Sequence, residues 1–78
     1  MDIKILGTGC AKCEKLAELT GQAAKEMQLN CSIEKVTDIT EIMKYKVMMT
    51  PGLVVNGEVK LIGKVPPIED IKKILGEG

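Results

Sequence analysis

The first half of this chain alternates between strand and helix patterns, and this alternation constrains its fold more than any other feature. Ile3 and Ile5 alternate with polar neighbours and predict a short strand that stops at the flexible turn 7–9. Apolar residues then recur at helical spacing and predict a helix over about 11–28, and a second alternation predicts a strand over 31–36. Because a helix separates these strands, a right-handed crossover should make them parallel.

The second half contains the clearest hairpin signal in the sequence. Two β-rich runs, 53–55 and 59–62, are joined through Asn56-Gly57. An Asn-Gly pair between such runs is typical of a two-residue turn. These two strands are therefore predicted to be antiparallel.

Two further helices complete the prediction. Thr37-Asp38 is typical of a helix cap and predicts a short helix that passes through Met43 and ends near Lys46. Pro67 suits the first turn of a last helix. The apolar stripe of that helix is Ile68, Ile71, Ile74 and Leu75. The order βαβ-α-ββ-α predicts an α/β fold with a four-stranded mixed sheet and three helices.

Length and charge restrict both the architecture and the partners. A chain of 78 residues makes one small domain, here 1–78, and its 45% hydrophobic and 28% charged residues are typical of globular proteins. Eleven lysines balance eleven acids, with no arginine or histidine, so neither nucleic acid nor a membrane surface is an expected partner. The start lacks a signal-peptide pattern, and no run of about 18 apolar residues occurs. We expect a cytoplasmic monomer.

Two cysteines, Cys10 and Cys13, lie three residues apart at the predicted junction of strand and helix. This spacing puts them on one face of a helical turn, where their sulfurs can meet. A helix N-terminus favours a thiolate at Cys10, but the dipole supplies only about 0.3–1 kcal/mol, whereas a shift of one pKa unit takes about 1.4 kcal/mol. Lys12 is either a second contributor or a solvated surface charge. In a reducing compartment such a pair is catalytic or metal-binding.

The remaining cysteine and two of the methionines have simpler interpretations. Cys31 at the start of the second strand is interpreted as a small buried hydrophobic residue rather than a third redox centre. Met27 and Met43 are interpreted as core residues.

The element order, the Cys-x-x-Cys after the first strand and the Thr-Pro before the hairpin together resemble the thioredoxin and glutaredoxin core. The small archaeal thioredoxin-like redox proteins share the Gly-Thr-Gly-Cys-x-x-Cys opening and the Pro-Gly-x-x-Val-x-Gly hairpin, here 7–13 and 51–57. This resemblance implies a thioredoxin-like fold and a disulfide reductase in which Cys10 attacks and Cys13 resolves. It implies no cofactor beyond the Cys10-Cys13 disulfide. The implied partners are target proteins with disulfides and an electron-donating thioredoxin reductase.

The resemblance also implies a target-binding surface and a cis-proline opposite the sulfurs. That proline is Pro51, and the backbone before it would pair with an extended target segment. The implied target-binding residues are Gly9, Lys12, Met49, Thr50 and Pro51. Two features depart from the common thioredoxin motif: Gly9 replaces the Trp before the first cysteine, and Ala11-Lys12 replaces the Gly-Pro between the two cysteines. The run 63–66 also lacks the glutathione-binding pattern of glutaredoxins.

The alternative is a soft-metal carrier that holds copper or zinc with the same cysteines. The heavy-metal-associated fold also opens with a strand, a Cys-x-x-Cys loop and a helix, but it runs βαββαβ and ends on a strand. This chain ends with a helical stripe, and it has no histidine to complete a four-ligand zinc site. We therefore predict no metal site and favour thiol redox exchange. A purely structural role is disfavoured by the paired thiols.

Overall fold

The computed structural model describes residues 1–9 and 11–77, and the order of its elements is the predicted βαβ-α-ββ-α. The elements are β1 (Asp2–Leu6), α1 (Ala11–Glu26), β2 (Ser32–Val36), α2 (Ile39–Lys44), β3 (Gly52–Val55), β4 (Glu58–Ile62) and α3 (Ile68–Glu77). None of the helices in the described part of the chain is both long and apolar enough to cross a membrane.

The four strands form one mixed sheet in the order β2-β1-β3-β4. β1 and β2 are parallel, with Ile3 opposite Ile33, as the crossover rule predicts. β1 and β3 are antiparallel, and Leu6 lies opposite Gly52. β3 and β4 are also antiparallel, with an irregularity between Leu53 and Val54. The predicted fold class is confirmed.

The turn between β3 and β4 has the geometry that its sequence predicts. Asn56 and Gly57 have φ angles of 52° and 83°, and a type I′ turn requires positive φ at both central residues. Asn56 also ties the turn to β1, since its backbone N–H donates to the Asp2 carbonyl at 2.7 Å and its side-chain oxygen accepts from the Asp2 N–H at 2.9 Å. The hairpin is therefore fixed against the central strand.

The helix boundaries differ from the predicted ones by one or two residues. α1 ends at Glu26 rather than Gln28, because Gln28 adopts a left-handed φ of 56° and cannot continue the helix. α2 begins after Asp38, whose carboxylate accepts from the Thr40 N–H at 2.9 Å, and it ends at Lys44. Pro67 precedes α3, and its carbonyl accepts from the Asp70 N–H at 3.0 Å.

The apolar side chains form one cluster on each face of the sheet. The larger cluster packs α1 and α3 against the sheet: Ile3, Ile5, Leu16, Ala23, Ala24, Leu53, Val55, Leu61, Ile71 and Leu75. The smaller cluster is Leu6, Ile42, Val47 and Val54, and it lies under α2. β3 is buried along its whole length because both of its faces are covered.

Candidate active site at the end of β1

The register of the central strands brings two distant parts of the sequence to one edge of the sheet. β1 runs to Leu6, and its partner in β3 is Gly52, the first residue of that strand. Gly7 and Pro51 are the next residues outward on the two antiparallel chains, so they lie at the same end. The cysteine motif after Gly7 and the Thr-Pro pair therefore share one edge of the sheet.

Cys13 lies in the first turn of α1, packed against the turn that follows β1. Only 4% of its surface is exposed. A β-carbon placed on Gly7 would overlap the Cys13 sulfur and lie 2.8 Å from Cys13 Cβ. The space beside Cys13 measures only about 10 Å³, roughly the room for one water molecule. A target group therefore has no room to reach Cys13 from that space.

Pro51 lies at the start of β3 and is held from the other side of the hairpin. Its peptide bond with Thr50 is cis, as the resemblance implies. The Gly63 N–H donates to the Pro51 carbonyl at 2.7 Å. Pro51 is fully buried, whereas Thr50 is half-buried and Met49 is 62% exposed. The segment before the proline thus emerges from the core toward solvent.

Two more of the predicted site residues lie near this edge. Gly9 and Lys12 are both exposed, on the turn after β1 and in the first turn of α1. Cys10, the predicted attacking cysteine, lies outside the described residues.

Two positions of the site, 7 and 9, require glycine for different structural reasons. Gly9 has a φ of 94°, a conformation that side-chain-bearing residues rarely adopt, and a β-carbon there would meet nothing within 4 Å. The backbone conformation, not lack of room, selects glycine at this position. Gly7 shows the opposite case, because its neighbour Cys13 leaves no room for a side chain. Sequence reasoning placed both in the turn after β1 and gave only Gly9 a further role, in target binding.

Gly63 is a further residue of the site that sequence reasoning missed. Its φ is 73°, and a β-carbon there would lie 3.2 Å from both Cβ and Cε of Met49. Together with its hydrogen bond to Pro51, this contact joins the segment after β4 to the Met49–Pro51 segment. The only sequence signal was a glycine directly after a strand.

The charges near the motif are solvated rather than buried. Glu14 forms an ion pair with Lys35 at 3.0 Å, and both side chains are more than half exposed. Among the described residues, the one buried polar side chain is Thr20, in the middle of α1. Away from the motif, the hydrogen bond to Glu34 raises the pKa of Lys4, and the hydrogen bond from Lys72 lowers the pKa of Glu26.

An apolar groove adjoins the site on the side of α2, with a volume of about 350 Å³. Its lining consists of Thr8, Ile39, Ile42, Met43, Val47, Met48 and Thr50. Met43 is 67% exposed, so the interpretation of Met43 as a core residue is wrong. α2 is only six residues long and reaches the core through Ile42 alone. Met27 does pack against the larger core cluster.

Cys31 and the acidic residues were also candidates for chemistry. Cys31 is half-buried and packs against the larger core cluster, so it contributes to the core without being fully enclosed. Residues 1–9 and 11–77 contain no group of three or more cysteine, aspartate or glutamate side chains that could hold a metal ion.

Comparisons with known proteins agree with this geometry. A sequence model of the family described as the thioredoxin domain matches residues 1–76. A protein named thioredoxin from Methanothermobacter thermautotrophicus is 41% identical over 75 residues, which cover 96% of this chain and 97% of that protein. Another thioredoxin, from Methanocaldococcus jannaschii, is 40% identical over 73 residues, 94% of this chain and 84% of its own length.

Proposed function

The chain belongs to the thioredoxin domain family and is a thiol-disulfide oxidoreductase, and we propose that it reduces protein disulfides with Cys10 attacking and Cys13 resolving. The observation that carries this assignment of roles is the burial of Cys13, of which 4% is exposed. An attacking thiol has to meet a disulfide that arrives from solvent, whereas a resolving thiol reacts with a neighbour inside the protein. Cys13 suits the second role, which leaves the first to Cys10.

The proposed reaction transfers two electrons in two exchange steps. The Cys10 thiolate attacks one sulfur of the target disulfide, so that a Cys10-target bond forms and the other target sulfur leaves as a thiolate. Cys13 then loses its proton and attacks the Cys10 sulfur, which closes the Cys10-Cys13 disulfide and releases the second target thiolate. The target disulfide is reduced and the protein dithiol is oxidised.

Two features support activation of the attacking thiol. Its sequence position directly precedes α1, a helix of 16 residues, and anions are stabilised at helix N-termini. Lys12 in the first turn adds a positive charge on the solvent side. Since the dipole provides only about 0.3–1 kcal/mol at an exposed position, both contributions are needed.

We place the target along the segment before β3. Thr50 and Met49 lead outward from the buried Pro51, which leaves them placed to pair with an extended target segment. Gly9 and Lys12 border the same edge from the side of α1. The partners would be disulfide-containing proteins and a reductase that returns electrons to the Cys10-Cys13 disulfide. The proposed setting is the cytoplasm, with the protein acting as a monomer.

Trapping of the mixed disulfide tests the two roles. Each variant also carries Cys31→Ser, so that its only remaining cysteine is the other cysteine of the motif. With Cys13→Ser, a purified protein with one accessible disulfide should accumulate as a covalent complex that dithiothreitol releases. Cys10→Ser should give no complex. Equal trapping by both variants would refute the assigned roles.

A redox titration separates this function from soft-metal carriage. The metal-free protein is equilibrated in dithiothreitol buffers, alkylated and analysed by mass spectrometry, with and without zinc or copper(I). A reversible two-electron couple between roughly −270 and −200 mV, little changed by metal, is expected. Tight stoichiometric copper(I) binding without formation of the Cys10-Cys13 disulfide would instead identify a metal carrier.

A further inference from the structure

A second groove is lined by residues of the first turn of α1, and we call it the lysine groove. It measures about 550 Å³ and runs between the start of α1 and the segment that joins β4 to α3. Its lining consists of Ala11, Lys12, Lys15, Gly63, Lys64 and Val65. Every charged residue in this lining is a lysine.

The three lysines of the groove are not neutralised by ion pairs. Five lysines of the described chain are paired with glutamates, and they are Lys4, Lys35, Lys44, Lys60 and Lys72. Lys12, Lys15 and Lys64 are exposed, and within residues 1–9 and 11–77 none of them pairs with a carboxylate. Glu14, between the first two in sequence, is bound to Lys35 instead. The chain is neutral overall, so this groove is a local excess of positive charge.

The lysine groove continues directly from the proposed target-binding segment. Gly63 belongs to its wall and donates its N–H to the Pro51 carbonyl at 2.7 Å, and a β-carbon on Gly63 would lie 3.2 Å from Met49. Lys12 belongs to the cysteine motif itself. We therefore expect a target segment that lies along Met49 and Thr50 to continue into this groove.

We propose that the lysine groove binds an acidic stretch of the target protein next to the disulfide that is reduced. This inference rests on the proposed function and names its substrate class. Carboxylates of aspartate or glutamate match the unpaired ammonium groups, and the positive end of α1 has the same sign. An exposed ion pair of this kind changes an affinity by about 1.4- to fivefold. Two such pairs give a preference of roughly two- to 25-fold.

The test compares two peptides, each closed by one disulfide. In one peptide, two aspartates precede the disulfide-closed ring and two follow it. In the other peptide, asparagines replace these aspartates. The second-order rate constant of reduction is measured with the prereduced protein. The wild type should favour the aspartyl peptide by roughly two- to 25-fold at low salt, and high salt should abolish the preference because it shortens the range of charge interactions.

Matched variants show whether the groove causes the preference. Lys15→Gln combined with Lys64→Gln removes two groove lysines and keeps Lys12 of the motif. Lys25→Gln combined with Lys73→Gln removes two exposed lysines elsewhere and changes the net charge equally. The first variant should lose the preference and the second should keep it. Equal rates for the two peptides with the wild type, or equal loss in both variants, would overturn the proposal.

Two further probes separate the remaining outcomes. Hydroxyethyl disulfide is uncharged, and failure of the wild type to reduce both it and the two peptides would refute the proposed function. In that case binding of the aspartyl peptide with its cysteines replaced by serine still tests the groove in the same variants. Glutathione disulfide is a small anion. If the variant that lacks Lys15 and Lys64 reduces glutathione disulfide more slowly than the wild type but reduces the aspartyl peptide at the same rate, the acidic-segment proposal is overturned.

Discussion

Replacement of Gly7 by alanine should destabilise the protein because the new methyl group has no room. Its carbon would overlap the Cys13 sulfur and lie 2.8 Å from Cys13 Cβ. Carbon atoms in contact are normally about 3.5–4.0 Å apart, so the turn or the helix has to move by roughly 1 Å. Neither moves easily: the Gly7 N–H donates to the Val36 carbonyl at 2.9 Å, and Cys13 is buried.

The expected cost follows from this overlap. Forcing an extra methyl group into a packed site costs about 1–3 kcal/mol. For a domain of this size each kcal/mol lowers the midpoint of thermal unfolding by about 4–8 °C, so Gly7→Ala should lower it by about 4–24 °C. The same displacement should misplace Cys13 and prolong the lifetime of the mixed disulfide with a target.

The assay is thermal unfolding of the reduced protein, monitored by circular dichroism. Gly21→Ala is the matched control because it makes the same substitution inside α1 where a β-carbon meets nothing within 4 Å. That control should stabilise the protein by about 0.5–1 kcal/mol, since alanine favours the helix. Cys13→Ala removes the overlapping sulfur, so Gly7→Ala should cost less in that background.

Either of two results would refute this reasoning. One is a midpoint for Gly7→Ala that equals or exceeds that of the wild type. The other is that Gly7→Ala lowers the stability equally in the wild type and in the Cys13→Ala background. This double-mutant cycle would then show no coupling between the two residues.

Three further substitutions test other features of the structure. The Thr20 hydroxyl is buried with no hydrogen-bond partner in the described chain, so Thr20→Val should stabilise by about 1 kcal/mol and raise the melting midpoint; a lower midpoint would show that the hydroxyl is bonded. The hydrogen bond from Lys72 lowers the pKa of Glu26 from its ordinary value of 4.5. The ionised Glu26 therefore stabilises the folded protein fully above pH 4.5, and this stabilisation is lost as the pH falls through the lowered pKa. In urea unfolding, the free energy of unfolding of Glu26→Gln should therefore be lower than that of the wild type near pH 7, and the difference should shrink in acid. A difference that stays constant with pH would contradict the assignment of the lowered pKa to Glu26. Gly9→Ala should destabilise by about 1 kcal/mol or more through its φ of 94°, and a melting midpoint equal to that of the wild type would exclude backbone strain there.

Local patterns were sufficient for the elements of this fold. The Asn56-Gly57 pair correctly predicted a two-residue hairpin turn. The helical spacing of apolar residues predicted the bounds of α1 to within two residues. The end of α1 was less predictable because Gln28 takes a left-handed φ usually adopted by glycine or asparagine. In α2 both Ile42 and Met43 are apolar, and sequence alone does not say which one reaches the core.

The candidate site was predictable only in part, because its contacts join distant segments. The cysteine motif and Pro51 were recognisable as sequence patterns. That Pro51 lies at the same end of the sheet as Gly7 depends on the pairing of β3 with β1, and that Gly63 is bonded to Pro51 depends on the pairing of β3 with β4. Lys64 joins Lys12 and Lys15 for the same reason. No spacing along the chain indicates that these lysines share a groove.

The open edges of the sheet affect how the protein behaves at high concentration. β2 and β4 are the outer strands, and each has unpaired backbone groups that could recruit another chain. Glu34 and Lys35 lie on one edge, and Glu58 and Lys60 lie on the other, all engaged in ion pairs. A neighbouring strand would have to desolvate these charges, so both edges disfavour aggregation. The uncharged stretch Met48–Thr50 has no such protection, which makes it the place where strand pairing with another protein is least opposed.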